Sequence, residues 1–162
     1  MMLHQILETV RSFDGVLILA PDASSGAPAI AWGDYFFYYA PDGRVPSGQP
    51  YGTIVTKDYP DDTRSALDGE GRWRVNVHVG RAAFQELIGR EPREAAAEPD
   101  AFDVAATDVI VPHPVHGALG WVAVVNPGER TSGTVRALLR DAHDASRARA
   151  LRRGGVAPRE HS

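Results

Sequence analysis

Arg74, Asn76 and His78 stand at alternate positions of the segment Arg72–Val79 (RWRVNVHV). A guanidinium, an amide and an imidazole in a row lie about 7 Å apart, one from the next, along an extended strand. Such a row can bind an anionic or polar small molecule, or it can be the ordinary wet face of a sheet. A second pair lies in His113-Pro114-Val115-His116, two imidazoles three residues apart and held by a proline. If His78 or Asp58 reached the same point, the group would offer the three ligands that a zinc site needs. Otherwise one of the two imidazoles hydrogen-bonds the backbone of its own loop. Lys57 and Asp58 follow an apolar stretch. Lys57 could donate a proton or anchor an anion, and Asp58 could orient His78 or His113 for general acid–base work. Trp121, Trp32, Trp73 and the run Tyr35–Tyr39 (YFFYY) supply aromatic surface for the core, for a ligand cleft or for a dimer face.

Several chemistries are excluded or left incomplete. The chain has no cysteine, which removes disulfides, thiolate metal sites and cysteine nucleophiles. There is no His-Glu-x-x-His and no Gly-x-Ser-x-Gly, and Ser47, Ser65 and Ser132 sit in no nucleophile-elbow pattern. Gly-x-Gly occurs only at Gly69-Glu70-Gly71, without the rest of a phosphate-binding fingerprint. A His–Asp pair therefore lacks a nucleophile, and no cofactor is implied. The leading expectation is a non-catalytic small-molecule or protein-binding domain. Its site would comprise Arg74, Asn76, His78, Lys57, His113 and Trp121, around an acidic or aromatic ligand. One alternative is a metal-assisted or acid–base enzyme using His78, His113, His116 and Asp58. The other is a nucleic-acid-binding domain in which Arg140 to Arg153 forms a basic stripe with Arg72 and Arg74.

Charge weighs against that last alternative. The net charge of −4 combines −8 over residues 1–146 with +4 over residues 147–162. An acidic body repels phosphate backbones. The arginine-rich end reads as a solvated helix terminus, its cations near the negative pole of the helix dipole. The apolar runs are only a few residues long, and a membrane span needs about 20. The start of the chain has none of the marks of a secretory signal. The expectation is a cytoplasmic protein with no membrane association.

The elements that would position these residues follow from periodicity. Leu3, Ile6, Leu7 and Val10 predict a helix over Met2–Ser12. Val16–Ala20 reads as a short strand, and Tyr35–Tyr39 and Tyr51–Thr56 read as a long-looped hairpin turning through Pro41-Asp42-Gly43. In Arg72–Val79, Trp73 and three valines alternate with the polar residues, the pattern of a half-buried strand. Arg81–Ile88 follows as a helix, and Arg90–Asp100 as a mobile Glu/Ala/Pro-rich loop. Ala106–Val111 is a strand or edge segment and Gly120–Val125 the last strand. A helix capped by Thr131 or Ser132 then runs to about Leu151. The order predicts one α+β domain over residues 1–152, with an antiparallel sheet of about five or six strands. The first and last helices pack on one face, and residues 153–162 form a disordered tail.

Several segments together resemble a bacterial family, mostly from actinomycetes, defined only as a domain of unknown function. They are Gly33-Asp34-Tyr35-Phe36-Phe37-Tyr38, Pro41-Asp42-Gly43, Thr53–Tyr59 (TIVTKDY), Arg74–Gly80 (RVNVHVG) and His113–Pro127 (HPVHGALGWVAVVNP). The resemblance covers most of residues 2–150 and implies no catalytic residues. More distantly, the order of elements is similar to the MmcQ/YjbR group, which implies a double-wing α+β fold sometimes linked to DNA binding. The acidic body of this chain departs from that group, and fold likeness does not carry function.

Overall fold

The computed structural model describes residues 2–156. Apolar periodicity sets the first helix, α1 (Leu3–Arg11), whose buried stripe is Ile6, Leu7 and Val10. The strands follow as β1 (Val16–Leu19), β2 (Tyr35–Tyr39), β3 (Gly52–Val55) and β4 (Arg74–His78). Two short helices, α2 (Gly80–Ile88) and α3 (Pro92–Ala97), then lead to β5 (Val111–Pro112) and β6 (Trp121–Val125). The last helix, α4, spans Ser132–Val156. The six strands form one antiparallel sheet in the order β1-β2-β3-β4-β6-β5. The fold is therefore α+β, with the terminal helices on one face as the sequence predicts. No helix among the described residues is long and apolar enough to cross a membrane.

Alternation along the strands separates two faces. Val75 and Val77 pair across the sheet with Val124 and Val122 and pack with Phe37, Ile54, Leu138 and Leu139 under α1 and α4. The row Phe36–Thr53–Asn76–Ala123–Val111 crosses the sheet on the opposite face. That face carries no helix-packed core. The coil segments around residues 57–72 and 99–116 cover it, with small apolar contacts of Val55 and Val125 against Leu67 and of Ala123 against Val104.

Two local expectations change. The segment Arg90–Asp100 contains α3 and a single turn at Pro99–Ala101, where a loop is expected from its Glu/Ala/Pro composition. Pro92 occupies the helix start, Glu91 and Glu94 form a capping box, and Ala95 is buried against the core. The strand expected within Ala106–Val111 shrinks to an isolated bridge at Thr107 and the two residues of β5. The cause is Asp108, whose backbone takes a left-handed turn (φ 58°). Its carboxylate accepts hydrogen bonds from the N–H groups of Gly128, Arg130 and Thr131, just ahead of α4. The helix expected to end near Leu151 continues to Val156, and residues 157–162 of the expected tail lie outside the described residues.

A close backbone contact fixes the start of β6 against the end of β4. The Gly120 carbonyl accepts from the N–H groups of Val79 and Gly80, at 2.9 and 3.2 Å. Gly120 has φ +86°, and a Cβ there would lie 3.1 Å from the Gly80 Cα. A side chain at residue 120 would therefore meet both backbone strain and a steric block. This contact sets where Trp121 begins its strand.

Candidate functional site

Arg74 and Asn76 point to the face away from the helices, as alternation requires, but they are not wet. Their exposures are 1% and 2%. The segment 57–72 folds over them and supplies partners that a single strand pattern cannot reveal. Arg74 Nη1 donates to Asp62 Oδ1 and Ser65 Oγ, both at 2.9 Å, and Nη2 donates to Asp62 Oδ2 at 2.5 Å. Arg74 Nε donates to Asn76 Oδ1 at 2.7 Å, and Asn76 Nδ2 donates to Thr53 Oγ1 at 2.9 Å. The expected solvent-facing row is thus a buried, hydrogen-bonded floor. Burial is the largest single influence and would raise the Asp62 carboxyl, but the hydrogen bonds with Arg74 and the positive charge of Arg74 together outweigh it and hold the carboxyl below the usual carboxylate range.

Above this floor lies a cleft of about 420 Å³. Phe36 and Tyr38 of β2 and Trp121 of β6 wall it with partly exposed rings, and His113 and His116 stand along one side. Tyr59, Asp61 and Asp62 approach from the covering segment. The volume and the mixture of aromatic walls with a few fixed polar groups match small-molecule sites. The YFFYY run divides accordingly, with Phe37 fully buried on the helix side and Phe36 and Tyr38 on the cleft side.

The histidines assume distinct roles. His113 is buried, and its Nδ1 accepts the N–H groups of Val115 and His116, each at 3.0 Å. It thereby shapes the turn between β5 and β6, the backbone-bonding role open to one of the pair. Burial, then the neighbouring Arg74 cation, pushes its pKa down to about 3. His116 is exposed, with its ring 4.8 Å from that of His113. His78 Nε2 donates to the Leu119 carbonyl, 3.1 Å away, and burial lowers its pKa. All three imidazoles surround Trp121, with ring centroids 5.6, 6.3 and 6.5 Å from it for His78, His113 and His116.

The structure therefore joins Arg74, Asn76, His113 and Trp121 in one cleft and leaves the other expected residues apart. His78 lines a neighbouring groove of about 720 Å³ with Tyr39, Ser146 and Arg149. Lys57 donates to Trp32 O and to buried Asp34, at 2.8 and 2.9 Å, in a network that also holds Thr56 and the Tyr59 hydroxyl. Asp58 does not orient a histidine. Its Oδ1 accepts the Leu67 N–H at 2.7 Å and so fixes the covering segment. Among the described residues no three His, Asp or Glu side chains form a group able to hold a metal ion. The expected set of His78, His113, His116 and Asp58 fails because Asp58 is committed to the backbone and the imidazoles gather around an indole.

Asp62, Ser65 and Tyr59 are site residues that sequence reasoning misses. The one signal for them is the acidic pair Asp61-Asp62 shortly before an arginine-bearing strand, where a buried cation needs a carboxylate. The basic stripe required for nucleic acid also fails to form. Arg74 is internal, on the face opposite α4, and Arg72 donates to the carbonyls of Ala66, Ser65 and Ala105.

A family model described as a family of unknown function (DUF6194) matches residues 1–155 of the chain. No curated protein and no solved structure matches it.

Proposed function

We propose, from the premise that this chain belongs to the family of unknown function DUF6194, that it binds a small planar molecule in the cleft beside Trp121, without converting it chemically. One observation carries the reading: a locked polar floor of Arg74, Asp62, Asn76 and Thr53 lies beneath rings that remain partly exposed. A buried arginine and amide with fixed partners present donors in a defined place, and partly exposed aromatic walls offer stacking area. Binding is favoured over catalysis because the polar groups are committed to one another. The Ser65 hydroxyl is tied to Arg74, and Asp58 is tied to the Leu67 backbone.

The double-wing likeness would suggest DNA. That reading is disfavoured, because DNA binding needs cations free to displace counterions, whereas Arg74 is enclosed with Asp62.

The test is an NMR screen of small planar fragments that follows the Trp121 indole N–H in the unsubstituted protein and the fragments' own signals in the variants. Bound fragments should shift that resonance. Trp121→Leu and Tyr38→Ala should each weaken binding roughly tenfold or more, a loss of about 1.4 kcal/mol or greater, with the fold retained. If every hit is indifferent to both substitutions, the cleft is not the binding site.

A further inference from the structure

The two buried donors at the cleft's base face each other with no protein acceptor between them. His113 Nδ1 accepts two backbone N–H groups, so the single proton of the neutral ring resides on Nε2. Nε2 lies 3.3 Å from Arg74 Nη2. The other four N–H groups of Arg74 already serve Asn76, Ser65 and the two oxygens of Asp62. The fifth is turned to Nε2, which is itself a donor. Two opposed N–H groups cannot satisfy one another, and buried donors left without an acceptor are destabilising. An acceptor oxygen entering from the cleft, which both residues line, takes both hydrogens.

Charge selects the kind of oxygen. Arg74 is neutralised by its paired contact with Asp62, and Asp61 adds a second carboxylate at the cleft. Among the described lining groups the carboxylates outnumber the guanidinium by two to one. A full negative charge is repelled there, whereas a carbonyl dipole is not. We propose that the cleft takes an uncharged aromatic molecule whose carbonyl oxygen accepts hydrogen bonds from Arg74 Nη2 and His113 Nε2 while its ring lies against Trp121. The proposal rests on the cleft being a binding site, and it rejects an acidic ligand in favour of a neutral one.

Benzamide, benzoate and benzylamine share a ring and differ in the group offered to the donors. Titrated into protein with 15N-labelled histidine, benzamide should shift the His113 Nε2 signal and bind roughly tenfold more tightly than either charged analogue. Long-range 1H–15N correlation should place the His113 proton on Nε2 before any ligand is added. His113→Asn can retain an acceptor for the Val115 and His116 N–H groups but removes the Nε2 donor. It should lose most of benzamide's advantage while keeping the fold. A proton on Nδ1, benzoate binding as tightly as benzamide, or no response to benzamide up to its solubility limit overturns the assignment. Each of these leaves the cleft reading standing, because that reading fails only if the wider fragment screen is blind to Trp121→Leu and Tyr38→Ala.

Discussion

The two faces of β4 are built from alternate residues of one five-residue strand, yet they are held by different physics. Val75 and Val77 lie in a continuous apolar core beneath α1 and α4. Arg74 and Asn76, equally buried, lie beneath coil and are held by directed polar contacts. Apolar burial is non-directional and tolerates small shifts, so the helix side supplies stability without fixing any one atom. Polar burial is favourable only when nearly every donor and acceptor is met, so the coil side fixes side chains to within a hydrogen-bond length. A site that must present donors accurately belongs on the second kind of face.

Breaking the polar face at its charged centre should have the largest effect. Arg74→Ala leaves Asp62 as an unpaired, mostly buried carboxylate, a change that typically costs about 3–5 kcal/mol. Such a loss is a large share of a typical domain's stability, so this substitution reports stability and not ligand contact. Replacing both partners, as Arg74→Met with Asp62→Leu, should cost far less than the two single changes added together. Urea denaturation of all four proteins provides the cycle, and simple additivity would show that the pair is uncoupled. On the apolar face, Leu139→Ala should cost about 2–5 kcal/mol through the cavity it leaves. No second substitution on the same face should rescue it unless the lost volume is restored. That difference in rescue is the sharpest distinction between the two faces.

The same contrast explains what the sequence made legible. Helix-side positions follow period: Ile6, Leu7 and Val10 at helical spacing, and Val75 and Val77 at strand spacing, read directly as core. The extended state of Arg74–His78 and the opposite orientation of its polar residues were equally readable. Whether those residues met water or protein was not, because alternation reports which side a residue faces and not what lies there. Asp62 and Ser65 reach Arg74 from 12 and 9 residues away through a segment without periodicity. His113 was legible as a residue able to bond its own loop, but not as a neighbour of Arg74, because their contact spans 39 residues. Asp108 illustrates the same limit. It ends a strand early in order to cap a distant helix, and local propensity contains no term for that exchange.

Acid should weaken the polar face before it touches the apolar one. His113 is held at about 3 by burial and by Arg74, with His116 acting in the same direction and Asp62 opposing them. In the unfolded chain it would titrate near 6.5. Between these values the unfolded state binds a proton that the folded state does not, so stability is fully present above about 6.5 and falls as the pH drops. The slope is about 1.4 kcal/mol per pH unit. Unfolding free energies from urea titrations at pH 7.5 and 5.0 should therefore differ by about 2 kcal/mol, and His113→Asn should remove most of that difference. An unchanged difference in the variant would assign the acid sensitivity elsewhere.

The smallest effect should come from the helix cap, where a polar contact supports the apolar layer. Hydrogen bonds from Thr131, with the Gly128 and Arg130 N–H groups, hold the Asp108 carboxyl at about 2. Its folded value lies below the ordinary carboxylate range, so its contribution is present at neutral pH and is lost as the pH falls through that range toward about 2. Asp108→Asn keeps an oxygen for these donors but discards the charge facing the start of α4. It should lower the melting temperature less than any other substitution above and leave the cleft's response to benzamide unaltered. A large loss of benzamide binding in Asp108→Asn would mean that the two faces are coupled through α4. The division of labour drawn for β4 would then not extend to the rest of the sheet.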